Sequence, residues 1–153
     1  MKINFRSLIV SILIPVLLGS LVGLLTANSN NYNVMIMPSF APPKILFPIA
    51  WTVLYILMGI SSYIISESLN SDKDNALIFY ALQLIVNLLW SFIFFTFELY
   101  LLAFIWIILL IGLVIIMIIK FYKISKISAY LQVPYLLWLL FASILSFSIF
   151  LLN

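Results

Sequence analysis

Apolar residues fill five long stretches of the chain, roughly residues 7–27, 45–66, 76–96, 99–119 and 127–152, and none of the five contains Asp, Glu, Lys or Arg. A bilayer's hydrocarbon core, about 30 Å thick, takes about 20 apolar residues per helical crossing, so each stretch is long enough to span it. The absence of charge fits a cost of about 2.5–3.5 kcal/mol for a charged side chain at a helix centre. The ten-residue alternation of a membrane barrel is not present. The pattern predicts an all-α integral membrane bundle of five transmembrane helices forming a single domain over residues 1–153, with a long loop between helices one and two acting as a lid.

Within the stretches, polar and aromatic positions recur at helical spacing. Gln83, Asn87, Trp90, Ser91 and Phe94 fall at i, i+4, i+7, i+8 and i+11, one face of helix three. Pro134, Trp138, Phe141, Ala142 and Leu145 repeat that spacing in helix five, and Pro48, Trp51, Thr52, Tyr55 and Gly59 share one side of helix two. At about 1.5 Å per residue, Trp51, Asn87, Trp90 and Trp138 lie between the midplane and the outer end. The structural alternative is ordinary: Asn and Gln join membrane helices at about 0.6–2 kcal/mol per bond, and Trp commonly anchors at the interface. For Trp106 the anchor or lipid-facing reading is the stronger. For the three faces together, a concave, mostly apolar site with a few converging polar groups is the better reading.

The connectors are short except the first, about 17 residues from Asn28 to Lys44. It begins polar, as NSNNYN, and then turns apolar with Met35, Ile36, Met37 and Phe40. Side chains of that kind belong against the bundle rather than in water, so the loop is expected to fold back over its outer end. Pro38, Pro42 and Pro43 stiffen it by fixing φ, and Pro48 stands early in helix two, where a missing N–H costs little. Gly19 and Gly23 in helix one give a GxxxG spacing, which fits close packing inside the bundle and against a second copy equally well.

Composition narrows the class further. The chain is 67% hydrophobic and 7% charged, with a mean hydropathy of +1.34, which no soluble domain of this size approaches. With the N-terminus inside, Lys2, Arg6, Lys73, Lys120, Lys123 and Lys126 are cytoplasmic and Lys44 alone is external. That asymmetry orients the chain with its C-terminus outside. The net charge of +3 therefore reports topology and not nucleic-acid binding, and the same holds for Lys120, Lys123 and Lys126, with anionic-lipid contact as the second reading. The first span resembles a signal peptide in its flanking Lys2 and Arg6, but its roughly 20 apolar residues exceed a cleaved segment's usual 7–15 or so.

The residues that are missing restrict the chemistry. With no His and no Cys, a zinc site, a Cys- or His-ligated haem, an iron–sulfur cluster and thiol catalysis fall away, and no cofactor is expected. The serines have no His to act as base. No carboxylate or lysine lies at membrane depth, which argues against a proton-coupled pump or a voltage sensor.

PSFAPP and FPIAWTVLYILMG, then QLIVNLLWSFIFF, then PYLLWLLFASIL resemble, in order and over nearly the whole chain, the signatures of the TspO/MBR family, the tryptophan-rich sensory proteins of bacteria and translocator proteins of mitochondria. The resemblance implies a five-helix membrane protein, often a homodimer, that binds porphyrins and other flat hydrophobic molecules. Carried over, it implies a pocket lined by Trp51, Tyr55, Asn87, Ser91, Trp138, Ala142 and Leu145, with Pro42 and Pro43 in the lid; Gln83, Trp90 and Phe94 join them from the helix-three face. This chain departs from many relatives in having Asn31 and Tyr32 for a Trp-Tyr pair, Ile45 for a Trp after the prolines, and Ser146 for an Asn. These changes bear on affinity and ligand preference more than on fold. No Lys or Arg follows Lys126, so helix five cannot carry the proposed cholesterol pattern.

Three functions follow as expectations: a membrane receptor or carrier for tetrapyrroles of the protoporphyrin type; a light- and oxygen-dependent porphyrin-degrading enzyme with Trp51 and Trp138 as candidate catalytic residues; or a regulatory or structural partner of another membrane protein. The expected location is the bacterial plasma membrane.

Overall fold

The computed structural model describes residues 2–27 and 34–153. Asn31 and Tyr32, and the polar start of the long loop, lie outside the described residues. The helices are α1 (Phe5–Ala27), α2 (Leu46–Ser66), α3 (Lys73–Ser91), α4 (Tyr100–Ile124), α5 (Lys126–Leu131) and α6 (Val133–Leu152), and a five-residue π-helical turn, Phe92–Thr96, prolongs α3. α5 and α6 together make one crossing, Lys126–Leu152, so five segments are long and apolar enough to span a membrane. Several charges expected in connectors instead occupy the end turns of helices: Arg6 in α1, Lys73 and Asp74 in α3, Lys120 and Lys123 in α4. At an end turn a long side chain reaches the interface, so the burial cost is avoided.

α1, α3 and the α5–α6 crossing run from the end bearing the lysine cluster toward the end bearing the long loop; α2 and α4 return. α4 packs between α3 and α6, α2 packs against α1, and α5 packs against α2 and α4. Met58, Ile107, Leu110, Val114, Met117, Phe121, Tyr135 and Leu139 are essentially inaccessible and form the axis of the bundle. A second cluster of Met35, Phe94, Ala103, Leu145 and Ile149 closes the loop end.

Sequence explains the helix ends. Asn4 caps α1: its Oδ1 accepts from the Ser7 N–H at 3.2 Å, and its own N–H donates to the Tyr63 hydroxyl at 2.9 Å, tying the start of α1 to the end of α2. Pro134 has no N–H to return to Tyr130 and its ring crowds that carbonyl, so the last crossing breaks at Gln132 and restarts as α6. Isolated hydroxyls in the spans bond back to their own helix, as Thr26 does to Val22 O at 2.9 Å and Thr52 to Pro48 O at 2.7 Å.

α1 is peripheral and buries only Pro15 and Thr26. Its contact with α2 depends on glycine. Gly59 lies against the α1 backbone at Ser11 and Ile12, where a Cβ would collide with main-chain atoms. Pro15 lacks the N–H that would otherwise bond the Ser11 carbonyl, and α2 approaches at that point. Gly19 faces the Tyr55 ring, which any Cβ there would overlap. The first glycine of the GxxxG pair is thus used within the bundle. Gly59→Ala is expected to destabilise the protein by about 1–3 kcal/mol through overpacking, measured as a lower unfolding midpoint in detergent. Gly112→Ala, where nothing lies within 4 Å of the new methyl, should not lower it.

Candidate ligand cavity

A cavity of about 660 Å³ opens at the loop end between α1, α2, the end of α3 and α6. Its walls are apolar and aromatic. α2 contributes Phe47, Pro48, Trp51, Thr52 and Tyr55; α3 and its π turn contribute Trp90, Ser91, Phe94 and Phe95; α6 contributes Trp138, Ala142, Leu145, Ser146 and Ile149. Met37 and Lys44 border it from the long loop.

Two near-parallel ring pairs flank the space. Trp51 stacks on Tyr55 with centroids 5.5 Å apart at 27°, one turn apart on α2, and Trp90 stacks on Phe94 at 4.9 Å and 22°. The π turn, closed by the Phe97 N–H on Phe92 O at 2.9 Å, brings the consecutive residues Phe94 and Phe95 both to the cavity. Trp138 meets Trp51 edge to face at 6.4 Å and 85°. A flat molecule parallel to one of these indoles is therefore edge-on to the other, so stacking on both at once is geometrically closed. The Trp138 Nε1–H is buried and has no hydrogen-bond partner among the described residues.

Beneath the cavity a chain of buried hydrogen bonds crosses three helices. Tyr55 OH donates to Asn87 Oδ1 at 3.1 Å, Asn87 Nδ2 donates to Tyr135 OH at 2.6 Å, and Tyr135 OH donates to Gln83 Oε1 at 2.8 Å. The Asn87 amide is thereby engaged on both sides. Asn87 and Gln83 do not line the cavity; they hold its floor by fixing the Tyr55 ring.

A segment of the long loop is anchored to the loop end of the bundle. Met35 is buried against the bundle, and the Asn153 side chain grips Ile36 at two points: Oδ1 accepts the Ile36 N–H at 3.1 Å and Nδ2 donates to the Ile36 carbonyl at 3.0 Å. Phe40 meets Phe141 edge to face at 6.4 Å. Pro42 packs elsewhere, in a shallow groove of about 590 Å³ on the outside of α2 and α6 that includes Pro134, Leu137 and Phe141. Trp138 forms the partition between that groove and the cavity. Pro43 borders neither; its carbonyl accepts the Leu46 N–H at 3.0 Å as α2 begins.

Of the residues picked from sequence, Trp51, Tyr55, Trp90, Ser91, Phe94, Trp138, Ala142 and Leu145 come together on the cavity, whereas Gln83, Asn87, Pro42 and Pro43 do not line it. The whole α1 wall was missed: Val16, Gly19, Ser20, Gly23 and Thr26 line the cavity too. Gly19 faces the Tyr55 ring and Gly23 has open space beside it, but small residues at this spacing do not by themselves show whether a helix, a second copy or a cavity lies alongside. Ser146 is buried on the wall, while Ile45 is exposed. Trp106 is half-buried and its Nε1–H donates to Val86 O at 2.8 Å, stapling α4 to α3.

Comparison with known proteins identifies the family. The TspO/MBR family model matches residues 11–152. The chain belongs to the TspO/MBR family. It is 41% identical to the tryptophan-rich protein TspO of Archaeoglobus fulgidus over 98% of this chain and 99% of that protein. It is 36% identical to protein CrtK of Rhodobacter capsulatus over 80% and 78% of the two chains. With the tryptophan-rich sensory protein of Cereibacter sphaeroides it shares 31% identity over 80% and 76%.

Asn153→Ala removes the two-point grip on the loop. Hydrogen exchange at Ile36 is expected to accelerate about tenfold, the equivalent of about 1.4 kcal/mol, with no change in exchange along α4.

Proposed function

We propose that the cavity binds a flat, largely apolar molecule of the tetrapyrrole class, with metal-free protoporphyrin as the leading candidate, and that the protein acts as a membrane receptor or carrier for it. The observation that carries this reading is the aromatic-walled cavity of about 660 Å³, a volume within the range of about 300–1,000 Å³ usual for small-molecule sites. The ring plane stacks on one indole, Trp51 or Trp138, and abuts the other edge-on. The Asn87 amide is already bonded on both sides and the Trp138 indole N–H is closed off from the cavity, so recognition rests on contact with the rings. Carboxylates on the macrocycle cannot be accommodated at charge-free depth; they point toward the loop, where Lys44 borders the cavity. The sensory label of one relative is compatible with this role. The protein sits in a plasma membrane with its lysine cluster on the cytoplasmic side.

The second reading is light-driven breakdown of the bound porphyrin with dioxygen as the oxidant. It draws on one observation: Trp51 touches Tyr55, Tyr135 and Trp138 at centroid distances of 5.5, 6.3 and 6.4 Å. Such a cluster can exchange electrons with a photoexcited ligand lying against it. Homodimerisation, where it occurs, uses a surface other than Gly19, which faces inward.

In darkness, protoporphyrin should quench tryptophan fluorescence saturably, and Trp138→Phe should weaken binding about 2- to 10-fold, as expected for an aromatic contact worth about 0.5–1.5 kcal/mol. Lys44→Glu should weaken protoporphyrin but not its dimethyl ester. Folded wild type with no saturable quenching rejects the assignment. Illumination of the saturated complex then tests the second reading: bleaching no faster than free porphyrin rejects catalysis and leaves binding intact.

A further inference from the structure

α6 presents one stripe to the cavity: Trp138, Ala142, Leu145, Ser146 and Ile149, at i, i+4, i+7, i+8 and i+11. Ser146 alone in that stripe carries a hydroxyl. The serines of the same helix that lie off the stripe turn their hydroxyls back on their own backbone, Ser143 donating to Leu140 O at 2.7 Å and Ser148 to Ile144 O at 2.9 Å. On the other walls Thr26 and Thr52 do the same, to Val22 O and Pro48 O. Ser146 is 2% exposed and makes no hydrogen bond among the described residues. Unlike the Trp138 N–H, its oxygen is not sealed within the protein; it stands on the wall of a cavity with room for a ligand.

A serine hydroxyl has one proton to give and two lone pairs to offer. In a helix the ready outlet for the proton is the carbonyl three or four residues back, and Ser146 leaves it unused. Buried donors without a partner are rarer in folded proteins than acceptors with a lone pair to spare, so the group that completes Ser146 is an acceptor. Accepting a bond from an occupant would leave the proton as orphaned as before. Ser20 and Ser91 border the same space, but Ser20 is exposed and Ser91 half-buried. Ser146 is the one whose hydroxyl faces little besides the cavity.

We infer that Ser146 is a specificity-determining residue of the cavity: its hydroxyl donates to an uncharged acceptor, a carbonyl oxygen or a ring nitrogen, on the edge of a flat ligand, and it disfavours a plain hydrocarbon of the same shape. The inference rests on the reading of the cavity as a ligand site and adds one polar contact, from α6, to the contact made by the rings. Stacking on Trp51 or Trp138 does not separate two such ligands, because both present the same kind of face. Ser146 does separate them. An occupant that displaces water from a hydroxyl either replaces the lost hydrogen bond or forfeits it, and only the acceptor-bearing ring replaces it.

Fluorenone and fluorene share a flat outline and differ in a carbonyl that replaces a methylene group. Each is titrated in darkness into the full chain in detergent and followed by tryptophan fluorescence, with its affinity referred to its own partitioning into protein-free micelles. Fluorenone should bind more tightly than fluorene. Ser146→Ala should lower that preference about 2- to 10-fold, the worth of one neutral hydrogen bond, by weakening fluorenone alone. Ser148→Ala, whose parent hydroxyl is bonded to its own helix, should leave the preference unchanged. In the wild-type complex the infrared carbonyl band of bound fluorenone should lie below its position in hydrocarbon solvent, which reads the contact even where a variant fails to fold. An unchanged preference in folded Ser146→Ala, equal weakening of both probes, an unshifted carbonyl band, or no saturable binding of either probe by folded wild type overturns the inference. Saturable protoporphyrin binding alongside any of these leaves the receptor reading standing, whereas a preference lost with Ser146→Ala in a protein that does not bind protoporphyrin sinks that reading and keeps the role of Ser146.

Discussion

Inside a bilayer, helices gain nothing by exchanging lipid for one another on hydrophobic grounds alone, so close backbone approach and interhelical hydrogen bonds must hold the bundle together. In this protein the decisive interaction is the buried chain from Tyr55 through Asn87 and Tyr135 to Gln83, which joins α2, α3 and α6 at one level. The cavity above depends on it. Tyr55 is held by its hydroxyl, and its ring in turn supports Trp51 by stacking. Gly19 is what allows α1 to close over that ring. Loosening the chain would free the ring that forms the cavity's inner wall, and α1, which buries little else, would lose its register.

The fold was legible because membrane solvent imposes one rule on every span. Charge-free stretches of bilayer length gave all five crossings, with ends within a few residues of those observed except at the helix-three start and helix-four end. Those two extend into the lysine-bearing turns, where polar side chains reach out of the bilayer and hydropathy no longer marks the helix boundary. The break at Gln132 had a sequence signal in Pro134, but a proline in an apolar run does not say whether the helix bends or restarts.

The site was legible wherever a residue type has one job. Stacked aromatics at helical spacing marked Trp51, Tyr55, Trp90, Phe94 and Trp138, because large rings that share a face need a common space. Asn87 was read as facing a ligand, but an amide carries both donor and acceptor, and the structure satisfies both with tyrosines that sequence spacing cannot bring together. The α1 wall was invisible for the opposite reason. Gly19, Ser20 and Gly23 contribute to the cavity by what they lack, and absent side chains look the same whether the space beside them receives a helix, a second copy or a ligand.

The tryptophans, finally, divide by what their indole N–H groups do. Trp90 donates to Ala103 O at 3.1 Å and Trp106 to Val86 O at 2.8 Å, so both act as staples between α3 and α4. That staple costs Trp90 nothing on its face, which remains stacked on Phe94 along the cavity. Trp138 is placed otherwise: its ring partitions the cavity from the outer groove, and its N–H is buried with no partner among the described residues. A buried donor without a partner is a standing cost, and a fold that has engaged two comparable indoles on nearby carbonyls has an available remedy that it does not apply here. The Trp138 N–H has no surface open to the cavity, so what Trp138 presents to the chamber is its ring, set nearly perpendicular to Trp51, and the two indoles shape that wall by their rings and not by a polar contact.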